Sequence, residues 1–341
     1  MRKRWYTLAL VALAVAVALV GAAARGDQAS AKTQALGACL VTDIGGLNDK
    51  SFNHLAYVGL QTAEKTGITG RVIQSKSPAD YIPNLSTCVR QGAGVTIGVG
   101  FLMTDAMDAV ASKFPNNKFA IVDVDITTLK HHPKNVQGLL FKEQEAGYLV
   151  GYAAGLWTKL HPIDGQQVIG SVGGIKIPPV DRYIAGYQFG AKKADPGIKT
   201  LNDYSQDFVA QAKCKEKALN QIANAAGVVF QVAGQCGLGV LDAAKEKHVL
   251  GIGVDADQGY LGTHVMTSAL KRVDVAVNSA IVAANHGKLK TAINAVFGAK
   301  QNGVGYGKWS PKVPASIRNA VAAQFTLMKA GKIRGIPTTV K

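Results

Sequence analysis

Val41-Thr42-Asp43-Ile44-Gly45-Gly46-Leu47-Asn48-Asp49-Lys50-Ser51-Phe52-Asn53 joins an apolar run to an amphipathic one through a turn crowded with Gly, Asp and Asn. Upstream, Ala35 to Thr42 has the length and apolar content of a buried strand. Downstream, Ser51 to Thr66 reads as a helix, with Phe52, Leu55, Val58 and Leu60 as candidates for its buried side. The short polar side chains between them can cap the helix or hydrogen-bond a ligand, and Asp49 or Ser51 is the natural cap. A strand, a turn of this composition and a helix make the first half of a parallel βαβ unit.

The same alternation continues along the chain. Arg71 to Ser75, Val95 to Val99 and Phe119 to Val124 read as further strands, separated by helices at Pro83 to Gln91 and Asp105 to Phe114. After the Gly/Ala-rich helix Gln144 to Leu160 the cycle restarts, with strands at Gln167 to Val172, Ile198 to Asn202, Gly227 to Val232 and Leu250 to Val254. Helices fall between them at Pro179 to Lys193, Ala212 to Ala225 and Gly239 to Lys247. The pattern predicts an α/β protein of two doubly wound lobes in tandem with a cleft between them. In open parallel sheets ligands sit beyond the carboxyl ends of the strands. The polar motifs fall there: Asp43 to Asn53, Gly100 to Asp105, Asp123 to Asp125, Gly234 to Gly239 and Asp255 to Gln258.

The N-terminus carries Arg2-Lys3-Arg4, an apolar run from Leu8 to Val20 and then small residues to Ala29-Ser30-Ala31. That order is the signature of a secretory signal peptide, 1–31, with an uncleaved membrane anchor as the alternative. No Cys follows the apolar run before Cys39, so a lipid-modified N-terminus is not expected. The formal charge is +16, and loss of the first 31 residues would leave +13. The basic residues are scattered, without the interleaved aromatics of a single-strand groove, so no nucleic-acid partner is expected. Cys39, Cys88, Cys214 and Cys236 form an even set in an apparently exported chain, with no zinc-like spacing. Of the three possible pairings, Cys39–Cys88 with Cys214–Cys236 keeps each bridge within one lobe and leaves the lobes free to move. Free buried thiols are the alternative.

Enzymatic signatures are missing from the sequence. There is no Gly-x-Ser-x-Gly elbow, no His-Glu-x-x-His and no cluster of aspartates. Gly98-Val99-Gly100 continues as Phe101-Leu102-Met103 and fails the dinucleotide fingerprint. Gly234-Gln235-Cys236-Gly237-Leu238-Gly239 has the wrong spacing for that fingerprint and for a phosphate loop; it suits close backbone approach to a neutral ligand. His131-His132 precedes Pro133 in what reads as a solvated loop. Phe52, in a first helical turn, can join the core or stack on a flat ring at the cleft. No cofactor and no metal are implied.

The run VTDIGGLNDKSFNHLAYVGL, followed in order by GFLMTDA, FAIVDVD, FQVAGQCGLGV, GIGVDADQ and TSALKRVDVAV, resembles the basic membrane protein family, the purine-nucleoside-receptor-like solute-binding proteins of ABC importers. The likeness runs from about Ala35 to the C-terminus. It implies the type I periplasmic-binding-protein fold, two Rossmann-like lobes with parallel sheets joined by a hinge that closes on ligand. The N-terminal lobe is then expected to take 35–138 plus about 266–300, and the C-terminal lobe 139–265 plus about 301–341.

The resemblance also implies a ligand set. Phe52 and Phe208 would sandwich a base, Asp255 and Lys271 would hold ribose hydroxyls as a pair, and Asp123 would read the base. Asp43, Asn53 and Gly234 complete the candidates. An ionised Asp accepts both protons of a diol while a neighbouring Lys donates back; a surface ion pair across the hinge is the plainer account of Asp255 and Lys271. The implied partners are a nucleoside and a membrane-bound ABC permease complex, and the implied state is a monomer, periplasmic or at the cell surface. A receptor for another small polar solute, such as a sugar or organic acid, and a surface signalling protein of the same fold are the alternatives.

Overall fold

A computed structural model of the chain describes residues 37–340; the expected signal segment lies outside the described residues. Strand β1 (Ala38–Thr42) is buried along its whole length, as a strand covered on both faces must be. Helix α1 (Phe52–Glu64) follows, then β2 (Gly70–Gln74), α2 (Tyr81–Arg90), β3 (Thr96–Val99), α3 (Thr104–Lys113), β4 (Phe119–Val122) and β5 (Val136–Phe141). The chain then enters the second lobe with α4 (Glu143–Leu160), β6 (Val168–Gly173), α5 (Pro178–Ala194), β7 (Lys199–Tyr204), α6 (Gln211–Ala223), β8 (Ala226–Val232), α7 (Leu238–Glu246), β9 (Leu250–Asp255) and β10 (Val265–Lys271). Helix α8 (Val273–Asn285) and β11 (Ile293–Phe297) return to the first lobe, and β12 (Val304–Tyr306) and α9 (Ala315–Lys329) end in the second.

The two sheets repeat one topology. The first runs β11-β5-β4-β3-β1-β2 and the second β12-β10-β9-β8-β6-β7. In each, the first five strands of the lobe take the order 2-1-3-4-5 and a sixth strand, delivered by a later crossing, seals the edge. All pairings are parallel except β10 with β12. Both switch points, β1/β3 and β6/β8, therefore open toward the same kind of crevice.

The crossings correct the expected lobe boundaries. Val136–Phe141 pairs with β4 and β11 in the first sheet, so the first crossing falls at Lys142 and not before residue 139. Val265–Lys271 pairs with β9, so the return begins after Lys271 and not at Met266. The reason is pattern: β5 and β10 are short, largely apolar runs, and only their ladders reveal which sheet owns them. Cys39–Cys88 and Cys214–Cys236 are bonded, each within one lobe.

Helices α4 and α5 lie against each other at backbone distance. A Cβ on Gly147 would stand 2.1 Å from the Tyr183 carbonyl oxygen, and one on Gly151 2.0 Å from that of Tyr187. Reciprocally, Cβ atoms on Gly186 and Gly190 would stand 2.2 and 2.1 Å from the carbonyl oxygens of Gln144 and Tyr148. Glycine every fourth residue leaves a groove along each helix that the partner's backbone fills. This contact fixes Tyr183, which lines the cleft, and Glu143, which lies behind it.

Candidate functional site

All eight sequence-derived candidates come together. Asp43, Phe52, Asn53, Asp123, Phe208, Gly234, Asp255 and Lys271 line one cavity of about 570 Å³, mouth included, between the lobes. Asp43, Asp123, Phe208 and Gly234 lie in turns past the carboxyl ends of strands, Phe52 and Asn53 open α1, and Asp255 and Lys271 are the last residues of β9 and β10.

On the first-lobe side, Asp43 Oδ1 accepts the Gly45 N–H (2.9 Å) and Asn53 Nδ2 (2.8 Å). Gly100, at φ 114°, leaves it room: a Cβ there would meet Asp43 Oδ2 at 2.5 Å. Burial pushes the Asp43 carboxyl up despite these bonds. Asn53 Oδ1 is buried without a hydrogen-bond partner. Asp49 is the cap of α1, accepting the N–H groups of Ser51 (3.0 Å), Asn53 (2.7 Å) and His54 (3.1 Å). Burial outweighs those bonds and raises its pKa to about 7.

Ser51 does not cap the helix with its side chain. Its hydroxyl crosses to the second lobe, within 3.0 Å of both Asp255 Oδ2 and the Val254 carbonyl oxygen. Asp255 Oδ1 accepts the Tyr183 hydroxyl at 3.0 Å. Burial raises the Asp255 pKa. Asp123 directly follows β4 and Asp255 ends β9, and both are left-handed, φ 69° and 59°. Asp tolerates this region better than most residues, and the turn aims each carboxylate into the cleft.

Lys271 is 1% exposed. Its Nζ lies 2.6 Å from Asp123 Oδ2 and 2.9 Å from Glu143 Oε1, with the Phe52 and Phe141 ring centroids each at 5.0 Å. The expected direct pairing of Lys271 with Asp255 is therefore replaced by one with Asp123 and Glu143, while Asp255 is held by Tyr183 and Ser51. Neither residue is part of a surface pair. Burial works against the Lys271 charge, but Asp123, Glu143 and Asp255 outweigh it and raise its pKa. Burial likewise opposes ionisation of Glu143, and the Lys271 and Arg182 charges overcome it and hold the carboxyl low. Arg182 Nε donates to Glu143 Oε2 at 2.7 Å. Asp123 is pushed up by burial to about 7, and its Oδ1 has no partner.

Phe52 and Phe208 reach the cavity from opposite lobes. Phe208 rests on the Gly174 backbone, where a Cβ would meet the ring at 2.4 Å. Gly234, at φ 55°, lies beside it. Tyr183, Glu143 and Arg182 were not among the sequence candidates. Glu143 opens α4 and Arg182 stands near the start of α5, where charge is ordinary, and Tyr183 sits on a helix face that reads as core. The cavity is rich in acceptors: its lining carries the carboxylates of Asp43, Asp49, Asp123 and Asp255 and, among the described residues, one cation, Lys271.

Two doubly wound lobes joined by three crossings, with a polar cleft between their strand ends, define a solute-binding protein of type I periplasmic architecture. Residues 38–329 match the family of ABC transporter substrate-binding proteins described as PnrA-like, and the chain belongs to that family. It is thus a binding protein rather than an enzyme. It is 34% identical to the ABC transporter nucleoside-binding protein BmpA of Lactococcus lactis subsp. cremoris, over 98% of this chain and 99% of that protein. It is 32% identical to the CD4+ T-cell-stimulating antigen of Listeria innocua, over 93% and 94%. A crystal structure of an ABC transporter system solute-binding protein from Aeropyrum pernix aligns with TM-score 0.79 and 26% identity, covering 88% of this chain and 93% of that one. Among the described residues no helix is long and apolar enough to cross a membrane.

Proposed function

We propose that the protein is an exported receptor that closes its lobes on a nucleoside, with a purine base, and presents it to an ABC permease in the membrane. One observation carries the reading: two aromatic rings from opposite lobes face a cavity whose polar wall is almost entirely hydrogen-bond acceptors. Such a wall suits a neutral ligand that is flat at one end and rich in O–H and N–H donors at the other. It disfavours an organic acid, whose carboxylate would meet those of Asp43, Asp49, Asp123 and Asp255. In this reading Phe52 and Phe208 hold the base, and Asp123 Oδ1 with Asn53 and Asp43 reads its edge. Asp255 accepts from the ribose hydroxyls, and Lys271 offsets the burial that opposes ionisation of Asp123, Glu143 and Asp255. The relative from Lactococcus lactis, named a nucleoside-binding protein, supports the same class. The receptor acts as a monomer outside the cytoplasmic membrane.

Calorimetric titration of the refolded, ligand-stripped protein with adenosine, guanosine, inosine, uridine and ribose tests this. Purine nucleosides are expected to bind at micromolar Kd or tighter, about −8 kcal/mol. Silence toward every nucleoside with binding of ribose or an unrelated solute would overturn the ligand and leave the fold standing.

A further inference from the structure

We propose that the Cys214–Cys236 bridge is a positioning element of the ligand site, holding the Phe208 ring in place; the proposal rests on the reading of Phe208 as a ligand-stacking residue. Phe208 stands in the loop between β7 and α6, outside regular structure. Three attachments decide where its ring lies. Its carbonyl oxygen accepts the Cys236 N–H at 3.0 Å. Its ring rests on the bare Gly174 backbone. Its loop is tied off by Ser205 and Asp207: Ser205 Oγ donates to the Asp207 carbonyl (2.9 Å), and Asp207 Oδ1 accepts the Val209 and Ala210 N–H groups (2.8 and 3.0 Å).

The bridge couples these attachments. Cys214 lies in the first turn of α6, directly after the Phe208 loop, and Cys236 in the glycine turn after β8 that also presents Gly234 to the cavity. Cys236 Sγ sits 3.0 Å from the Ala210 carbonyl oxygen and 3.5 Å from Ser205 Oγ. One covalent link thus pins both strand-end loops that form the second-lobe aromatic wall. The Gly234 turn is otherwise held from its own side, by the Gly237 N–H on the Ala233 and Gly234 carbonyls and the Ala233 N–H on Gln231 Oε1; the Cys236 N–H to the Phe208 carbonyl and the bridge tie it to the Phe208 loop. Cys39–Cys88, which joins β1 to α2, involves no cavity-lining residue and serves as the internal control.

The test compares Cys214→Ala/Cys236→Ala with Cys39→Ala/Cys88→Ala, each with and without Phe208→Ala. Calorimetry uses adenosine, inosine and ribose, and hydrogen–deuterium exchange follows peptides covering 205–210 and 233–239 without ligand. Loss of the 214–236 bridge is expected to weaken purine-nucleoside binding about tenfold, within the range a stacked base contributes, and to leave ribose affinity unchanged. It should have no further effect on affinity once Phe208 is Ala. Faster exchange in both loops is expected as well. The 39–88 variant should lose thermal stability with affinity intact. Unchanged nucleoside affinity, or an equal loss for nucleoside and ribose, overturns the proposal and leaves a purely structural bridge. If the wild-type protein binds no nucleoside, the nucleoside reading fails separately; faster exchange in the two loops then still supports bridge control of Phe208, and unchanged exchange overturns it. Cys214→Val/Cys236→Ala, which restores part of the lost volume, replaces the Ala pair if that variant does not fold.

Discussion

Lys271 Nζ, at the end of the last parallel strand of the second lobe, stands 2.6 Å from Asp123 Oδ2, in the turn after β4 of the first. This pair, with Ser51 to Asp255, closes the cleft from both sides. Lys271, Asp123 and Asp255 also line the cavity, so three of the four groups in these contacts are ones that would hold a solute. A ligand that binds only the closed form stabilises it by its own affinity, which is how hinge closure is coupled to loading.

Replacing Lys271 by Met leaves Asp123 and Glu143 buried with only Arg182 against them. Breaking a buried pair by removing one partner costs about 3–5 kcal/mol. The loss is expected to grow with pH, because Asp123, raised to about 7 with Lys271 beside it and pushed further up without it, takes up a proton at the lower pH and relieves the defect. Denaturant titration at pH 5.5 and 8 measures the difference, and Lys271→Met/Asp123→Asn should recover part of it. Equal losses at both pH values would show that Asp123 does not relieve the defect.

Asp49 gives a second pH signature. Its carboxyl ordinarily titrates near 3.8, and burial at the head of α1 raises it to about 7. Between those values the folded chain holds a proton that the unfolded chain has released. Stability from this group is therefore present at low pH and lost as pH rises from about 4 toward 7. Asp43 and Asp255 move in the same direction. Asp49→Asn, which keeps an oxygen to accept from the helix N-terminus, should flatten the fall in melting temperature between pH 4.5 and 7.5. An unchanged slope would assign the fall to the other carboxylates.

Phe52→Ala and Asp255→Ala separate the two halves of the proposed ligand. Loss of a stacking ring costs about 1–3 kcal/mol per base, so Phe52→Ala should weaken purine nucleosides by roughly 5- to 150-fold and ribose little. Asp255→Ala should weaken both, and should also free Ser51 and Tyr183. Competition calorimetry with adenosine and ribose reads the split. Equal effects of Phe52→Ala on both ligands would remove its stacking role and leave the ring as a wall for Lys271.

The strand-end motifs were legible because the turns that form them need residues with special backbones. Gly100 and Gly234 are left-handed, and Asp123 and Asp255 sit in the same region. Strand polarity then brings the turns to one cleft, which is why the eight candidates converge. The pairing inside the cleft was not legible. Glu143 and Tyr183 enter it only because α4 and α5 touch at their glycines, a relation between helices that spacing within either one does not express. The crossings at Lys142 and Arg272 were hidden for a similar reason: which sheet owns a short apolar run depends on ladder partners far away in sequence. The cap at Asp49 followed local chemistry, whereas Ser51, equally suited to capping, was drawn across the cleft by Asp255.

The glycine contact between α4 and α5 should therefore transmit to the ligand. A Cβ on Gly147 would lie 2.1 Å from the Tyr183 carbonyl oxygen, and the Tyr183 hydroxyl donates to Asp255 at 3.0 Å. Gly147→Ala forces the helices apart, an overpacking defect of about 1–3 kcal/mol, and shifts Tyr183 away from the carboxylate it orients. Stability and ligand affinity should fall together. Gly165→Ala is the contrast: nothing lies within 4 Å of its Cβ position, but φ is 73°, so it strains only its own turn. That variant should lose stability and keep affinity. If Gly147→Ala lowers the melting temperature and leaves the Kd unchanged, Asp255 does not depend on Tyr183 for its orientation, and Ser51 alone must hold it.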